Sequence, residues 1–211
     1  MDNIAGRLGP VARQLLDCWA SLPARDFVPD RRSFDPMAIA RILPVVSLLE
    51  RITADDWRFR LVGTEIERRW DRRLTGVSYL NAKIVSPQVA AMMRREFGHI
   101  VEWPCGSWSQ RSVRFDSGRA AAIETLRLPL RADDGGIRLI LSCSGELREQ
   151  GEPLVDAPHE IIRITQQQFV DIGAGRPGAS LAGAAPSGER SALPPAVPDQ
   201  RGMPGASDGT S

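Results

Sequence analysis

The side chains that most often carry protein chemistry are few and far apart in this sequence. Its two histidines are His99 and His159, and its three cysteines, Cys18, Cys105 and Cys143, form no Cys-x-x-Cys pair. Nucleophilic catalysis needs a nucleophile beside a base, and a structural zinc site needs clustered thiolates or imidazoles. The sequence therefore predicts neither a catalytic residue nor a metal site.

Local motifs of common enzyme classes are also missing from the sequence. It has no Gly-x-Ser-x-Gly elbow, no His-Glu-x-x-His helix and no Gly-x-x-x-x-Gly-Lys phosphate loop. Glu65 with Glu67, and Asp55 with Asp56, are close enough to pair as acid and base, but such carboxylates are far more often solvated at the surface. We expect a protein that is not an enzyme.

His99 allows one further chemistry. It falls near the end of the longest helical pattern, where an imidazole could ligate haem iron. A histidine there also complements the helix dipole, which is the commoner role. His99 is thus a weak candidate haem ligand, and the residues identify no cofactor; we expect none.

The charge balance restricts the partners. Lys and Arg number 27 and Asp and Glu 26, a net charge of +1, so no overall field favours nucleic acid. Arg68, Arg69, Arg72 and Arg73 cluster around Asp71. Without interleaved aromatic residues this cluster favours a solvated face over a nucleic-acid patch. We expect no nucleic-acid partner.

The sequence also indicates a compartment. Residues 1–9 contain charged side chains and no apolar run of the kind found in a secretory signal. No stretch approaches the roughly 20 apolar residues of a membrane span. The odd number of widely spaced cysteines suits a reducing environment. We expect a cytoplasmic protein without membrane contacts.

The first element predicted to position these side chains is a helix of about residues 10–22. Between Pro10 and Pro23 apolar side chains recur at helical spacing, and these are Val11, Leu15, Leu16, Trp19 and Leu22. Such a stripe must pack on the main domain or on the same helix of a second protomer. Leu15, Leu16 and Trp19 are accordingly candidates for a dimer interface.

Helices and strands then alternate in the middle of the chain. Asp35-Pro36 has the pattern of a helix N-cap followed by a first-turn proline, and Pro44 ends that short helix. The patterns that follow predict strands at residues 45–52 and 57–62, a short helix at 64–70 and a long amphipathic helix at 86–101.

The second half of the chain has the alternation of strands. Turn residues separate predicted strands at residues 109–115, 120–130 and 137–143, and residues 160–172 could form another. The whole pattern predicts an α+β fold, a five-stranded antiparallel sheet covered on one face by helices. From residue 173 onward Gly, Pro, Ala and Ser dominate, which predicts a disordered tail.

Several passages strengthen this interpretation. RLVGTEI at residues 60–66 is followed by LTG at 74–76, and Asp35-Pro36 precedes RILP at 41–44. These passages, together with the order of elements, resemble a PAS domain and a family of small bacterial single-PAS proteins of mostly unassigned function. The resemblance covers about residues 12–148, and the chain departs from it at Trp70-Asp71 and at residues 103–106.

The resemblance implies a division of the chain. Residues 1–34 are a helical lead-in, 35–148 the PAS-like domain, 149–172 an extension and 173–211 the tail. It implies a sensory or protein-interaction module in signal transduction that works through a homodimer or another signalling protein.

A PAS-like fold also implies a pocket between sheet and helices. Candidate pocket residues are Trp70, Tyr79, Phe97, Trp103, Trp108, Leu128 and Leu139. Any one of them is more often core than ligand contact. The alternative function is thus a ligand-loaded sensor that binds haem or a small apolar metabolite.

A flavin photoreceptor is disfavoured, since the segment Asn81-Ala82-Lys83-Ile84 lacks the cysteine that resembling families carry.

Overall fold

The computed structural model describes residues 4–69, 72–79, 87–115, 120–147 and 158–176. In these ranges the α-helices are α1 (Pro10–Ala20), α2 (Thr64–Arg69) and α3 (Pro87–Glu102). The strands are β1 (Ala24–Arg25), β2 (Val28–Pro29), β3 (Val46–Arg51), β4 (Trp57–Val62), β5 (Gly106–Phe115), β6 (Ala120–Arg131), β7 (Ile137–Leu147) and β8 (Pro158–Val170).

The main sheet is antiparallel and has six strands in the order β4-β3-β7-β6-β5-β8. The five expected strands are present, and the α+β class is confirmed. The sixth strand, β8, lies in the extension predicted for residues 149–172 and pairs with β5 at the edge of the sheet, with Phe169 opposite Ser107. The predicted five-stranded sheet is therefore corrected to six strands.

Helix α1 packs on one face of this sheet. Leu15 and Trp19 lie in one buried cluster with Leu126, Leu128 and Leu141 of the sheet. The indole Nε1 of Trp19 also donates to the carbonyl oxygen of Pro129 at 2.8 Å. The N-terminal helix is thus part of the domain's own core.

Helix α3 packs on the opposite face. Phe97 lies in a second buried cluster with Trp57, Phe59 and Ile140. Successive residues of a strand point to opposite faces, so Ile140 faces α3 whereas its neighbour Leu141 faces α1. The face expected to be covered by helices is thus covered by α3, and the N-terminal helix α1 covers the opposite face.

Two local structures differ from the prediction. The short helix expected before Pro44 is a series of 3₁₀ turns, Arg31–Ser33, Pro36–Ile39 and Leu43–Val45. Asp35 nevertheless caps the second turn, since its Oδ1 accepts from the backbone N–H of Met37 at 2.9 Å. The β1–β2 hairpin was not predicted, because its turn residues, Asp26 at φ 48° and Phe27 at φ 67°, are not the glycine or asparagine that signals such a turn.

The RLVGTEI passage contains a close backbone approach. The N–H of Gly63 donates to the carbonyl oxygen of Val46 at 2.7 Å. A Cβ at Gly63 would lie 2.3 Å from the carbonyl oxygen of Pro44, so any side chain there would clash with backbone. Glycine at this position lets α2 begin directly beside the start of β3.

The predicted tail begins at residue 173, and residues 177–211 lie outside the described part of the chain. Its disorder stays a prediction.

Candidate functional site

The sheet face beneath α3 carries small polar side chains as well as apolar ones. Ser47 of β3 lies opposite Ser142 of β7, and Thr125 of β6 lies opposite both Ser109 of β5 and Ser144 of β7. These positions alternate with apolar residues that face α1, among them Trp108, Leu126 and Cys143. We call this surface the polar sheet face, formed by Ser47, Ser107, Ser109, Thr125, Ser142 and Ser144.

A buried carboxylate connects α3 to this face. Glu96 is completely buried, and its Oε1 accepts from Nη1 of Arg127 on β6 at 2.9 Å. The same oxygen accepts from the hydroxyl of Ser107 on β5, and Oε2 accepts from Nε2 of Gln167 on β8 at 3.3 Å. One side chain thus joins the helix to three strands.

Arg127 also contacts two apolar side chains of α3. Its guanidinium lies 5.6 Å from the ring centre of Phe97, and its Nη2 is 3.7 Å from the sulfur of Met93. The ion pair with Glu96 therefore lies against the apolar side of α3. Burial of an unpaired charge there would cost several kcal/mol of desolvation free energy.

Arg111 of β5 is the third member of this group, which we call the buried charge cluster (Glu96, Arg111 and Arg127). Arg111 is 6% exposed, and its Nη2 is 3.9 Å from Oε2 of Glu96, too far for a hydrogen bond. Its Nε and Nη2, and the fully buried hydroxyl of Ser109, have no hydrogen-bond partner among the described residues. An unsatisfied buried donor costs about 1–3 kcal/mol.

Burial determines the protonation behaviour of Arg111. It lowers the pKa of the guanidinium to about 10, and the like charge of Arg127 acts in the same direction, while Glu96 and Tyr79 oppose it. The side chain remains charged at neutral pH. The described cluster thus contains two guanidinium groups and one carboxylate.

The basic cluster near α2 is only partly solvated. Arg69 is buried, and its Nη1 lies 3.5 Å from the carbonyl oxygen of Ser144, one of the residues of the polar sheet face. Its Nε lies 3.4 Å from Oε1 of Glu65. The interpretation of these arginines as a solvated face is wrong for Arg69, because the end of α2 turns inward against β7.

The two glutamates of α2 have structural roles. Glu65 binds Arg68 through two hydrogen bonds of 2.8 Å, and this contact is the main cause that lowers the pKa of Glu65. Oε1 of Glu67 accepts from the N–H groups of Leu74 at 2.9 Å and Thr75 at 3.3 Å. Glu67 therefore connects the RLVGTEI passage to the LTG turn.

The candidate pocket residues do not come together at one site. Tyr79 and Phe97 lie on the α3 side, with ring centres 5.7 Å apart. Trp108, Leu128 and Leu139 lie in the cluster on the α1 side. The prediction missed this division because alternate strand positions face opposite sides of the sheet, and both sides are covered.

The other two candidate pocket residues are tryptophans. Trp103 follows α3 and is 52% exposed, so it is a surface residue. Trp70 lies outside the described residues, as do Asn81, Ala82, Lys83 and Ile84.

The candidate interface residues are also buried within their own chain. Leu15 is 0%, Leu16 6% and Trp19 3% exposed, all in the cluster between α1 and the sheet. They are not available to a second protomer while α1 stays docked. The expected dimer surface on this stripe is thus corrected, because the sheet itself is the partner of α1.

His99 packs at the β8 edge of the sheet. It is half-buried, and its ring packs edge-on against Phe169 of β8 with centroids 5.4 Å apart. The side chains that fill the space beneath this part of α3 are Phe97 and Ile100, both fully buried. Its position therefore gives no support to the haem hypothesis.

The sequence interpretation missed all three members of the buried charge cluster, although two signals were present. Glu96 occupies the same helical stripe as Met93, Phe97 and Ile100, where an apolar residue is expected. Arg111 continues the alternation of Ser107 and Ser109 along β5. In both cases the signal was a charged residue at a position whose periodicity predicts that it faces the interior.

The described helices contain no segment that is both long and apolar enough to cross a membrane.

Comparison with known proteins agrees with this architecture. The family model described as a PAS domain matches residues 9–144. No curated protein gives a significant match.

Two solved structures are similar at low identity. One is described as an RNA-binding light-oxygen-voltage receptor, with 14% identity and a TM-score of 0.38 over 59% of this chain and 35% of that one. The other, a fungal LOV domain photoreceptor, has 20% identity and a TM-score of 0.33 over 63% of this chain and 89% of that one. The chain spans about a third of the first protein's length.

The family match covers more than half of the sequence and includes α1, the long helix α3 and the strands β3 to β6. It also includes Glu96, Arg111 and Arg127. The chain belongs to the PAS domain family.

Proposed function

We propose that this chain is a sensory module of bacterial signal transduction that catalyses no reaction itself. It works in the cytoplasm, receives a signal beneath α3 and transmits it by contact with another protein chain. The observation that carries this proposal is the position of Glu96, which joins α3 to β5, β6 and β8 through Ser107, Arg127 and Gln167.

These contacts provide a route for the signal. A change in the polar surroundings of Glu96 alters its hydrogen bonds on several strands at once. The bond to Gln167 reaches β8, which is the edge strand of the sheet. Conformational coupling of this kind needs a contiguous network with more than one arrangement, and a shared carboxylate can redistribute its bonds.

The signal leaves through a surface other than the stripe of α1. Trp103 directly follows α3 and exposes 52% of its surface. Tryptophan is over-represented among the residues that dominate binding energy at protein interfaces. We assign Trp103 to the contact with a second copy of this chain.

Sedimentation velocity over a wide range of protein concentration tests this assignment. The wild type is expected to form a concentration-dependent dimer, and Trp103→Ser to remain a monomer. At concentrations where the wild type is itself a monomer, the two proteins should have the same melting temperature. Phe27→Asn is the matched control, because Phe27 has the same 52% exposure and a positive φ that asparagine tolerates. A wild type that is monomeric throughout, or a Phe27→Asn variant that also fails to dimerise, would contradict the assignment of Trp103.

A further inference from the structure

We propose that the polar sheet face binds a small molecule through a carboxylate group, which pairs with Arg111 and accepts the hydroxyl hydrogen bond of Ser109. This inference rests on the proposed sensory function and names the chemical class of its signal.

The first argument is the satisfaction of Glu96. Its two oxygens accept hydrogen bonds from Ser107, Arg127 and Gln167. Arg111 lies at 3.9 Å and makes none of these bonds. Glu96 is therefore the counter-ion of Arg127, and Arg111 has no hydrogen-bonded counter-ion among the described residues.

The second argument is the position of the unpartnered donors. Ser109 and Arg111 are two residues apart on β5, so their side chains lie on the same face of the strand. Both are more than nine-tenths buried, and both have donor atoms without a partner in the described part of the chain. Buried polar groups in folded proteins almost always have a partner, so these atoms indicate a group that binds here.

The third argument is charge. Two arginines against one glutamate leave the described cluster with a single surplus positive charge. A carboxylate neutralises one charge and matches the planar guanidinium with two oxygens. A phosphate dianion would bring one negative charge too many into a buried site. A purely apolar ligand would leave Nε and Nη2 of Arg111 without a hydrogen bond, so the expected apolar metabolite does not suit this face.

Thermal unfolding of the full chain tests the proposal with defined probes. Sodium acetate, propionate and benzoate are compared with sodium phosphate and with sodium chloride at equal ionic strength. At least one carboxylate is expected to raise the melting temperature by about 3 °C or more over chloride, the shift that a ligand at about ten times its Kd produces in a domain of this size. Phosphate is expected to match chloride.

Arg111→Met is the decisive variant, and Arg41→Met, an exposed arginine outside the cluster, is its matched control. Removal of this charge, which has no hydrogen-bonded counter-ion among the described residues, is expected to abolish the carboxylate shift and to raise the melting temperature of the unliganded protein. Arg41→Met should retain the wild-type shift. Isothermal titration with the best carboxylate should show at least about a tenfold loss of affinity for Arg111→Met, since charge-assisted pairs contribute about that much.

Three results would overturn the inference. One is that no carboxylate exceeds chloride, which would mean that ordered water alone satisfies Arg111 and Ser109. Another is that Arg111→Met keeps the shift. The third is a large loss of stability in Arg111→Met, which would make Arg111 a structural partner of Glu96. None of these affects the Trp103 test, so the sensory module can stand while the carboxylate fails.

Discussion

At the scale of single residues, the centre of this PAS domain is a carboxylate rather than an aromatic pocket. Glu96 is fully buried beside two arginines, of which it hydrogen-bonds only Arg127. Buried ion pairs are weak sources of stability when intact, but removal of one partner leaves an uncompensated charge in the interior. The stability of the domain should therefore depend strongly on Glu96.

Glu96→Gln tests this dependence. The substitution keeps the size of the side chain but leaves Arg111 and Arg127 without a negative partner among the described residues. We expect the free energy of unfolding, measured in urea, to fall by about 3 kcal/mol or more. Glu102→Gln on the same helix is the control, because Glu102 makes an exposed pair with Arg51 at 3.3 Å. The control should lose less than about 1 kcal/mol. Equal losses in the two variants would show that burial of the cluster is not what gives Glu96 its effect.

The residue scale is also where sequence interpretation was least successful. All of the candidate pocket residues were expected at one site, but Tyr79 and Phe97 lie on the α3 side, whereas Trp108, Leu128 and Leu139 face α1. Composition predicts that aromatic residues are buried, yet it does not show which face of a sheet they occupy when both faces are covered. The contact of Arg111 with its cluster depends on strand pairing, which no local pattern reveals.

At the scale of elements, most of the fold could be predicted. The alternation in residues 57–62 and the helical stripe of residues 86–101 predicted β4 and α3 to within one residue at each end. The 3₁₀ turns were mistaken for a helix because Pro36 after Asp35 suits the first position of either. Strand β8 was the least certain because Gln166, Gln167 and Gln168 interrupt its apolar alternation.

The packing of α1 changes the expected effect of substitutions in its stripe. Leu15→Ala should lower the free energy of unfolding by about 2–5 kcal/mol, because it creates a cavity in the cluster between α1 and the sheet. This loss should be the same at low and high protein concentration. Asp17→Ala, at an exposed position of the same helix, should have a small effect. A loss that shrinks on dilution would show instead that Leu15 packs on a second protomer.

At the scale of the whole molecule, the sheet separates two hydrophobic clusters with different characters. The cluster on the α1 side contains mostly aliphatic side chains and gives the domain a conventional core. The α3 side combines apolar residues with the polar sheet face and the buried charge cluster. Under the proposed function, the α1 side stabilises the fold and the α3 side receives the signal. The buried polar and charged groups on the α3 side make that side less stabilising than an apolar core would be.

The central claim is that Glu96 couples α3 to the edge of the sheet, and hydrogen–deuterium exchange tests it most directly. Backbone amides of wild type and Glu96→Gln are compared by mass spectrometry, with Glu102→Gln as the control. We predict that exchange rises most in β5, β6 and β8 and least in the β3–β4 hairpin, which lies at the far edge of the sheet. Exchange in β8 that is unchanged by Glu96→Gln, or that rises equally throughout the sheet, would contradict the claim.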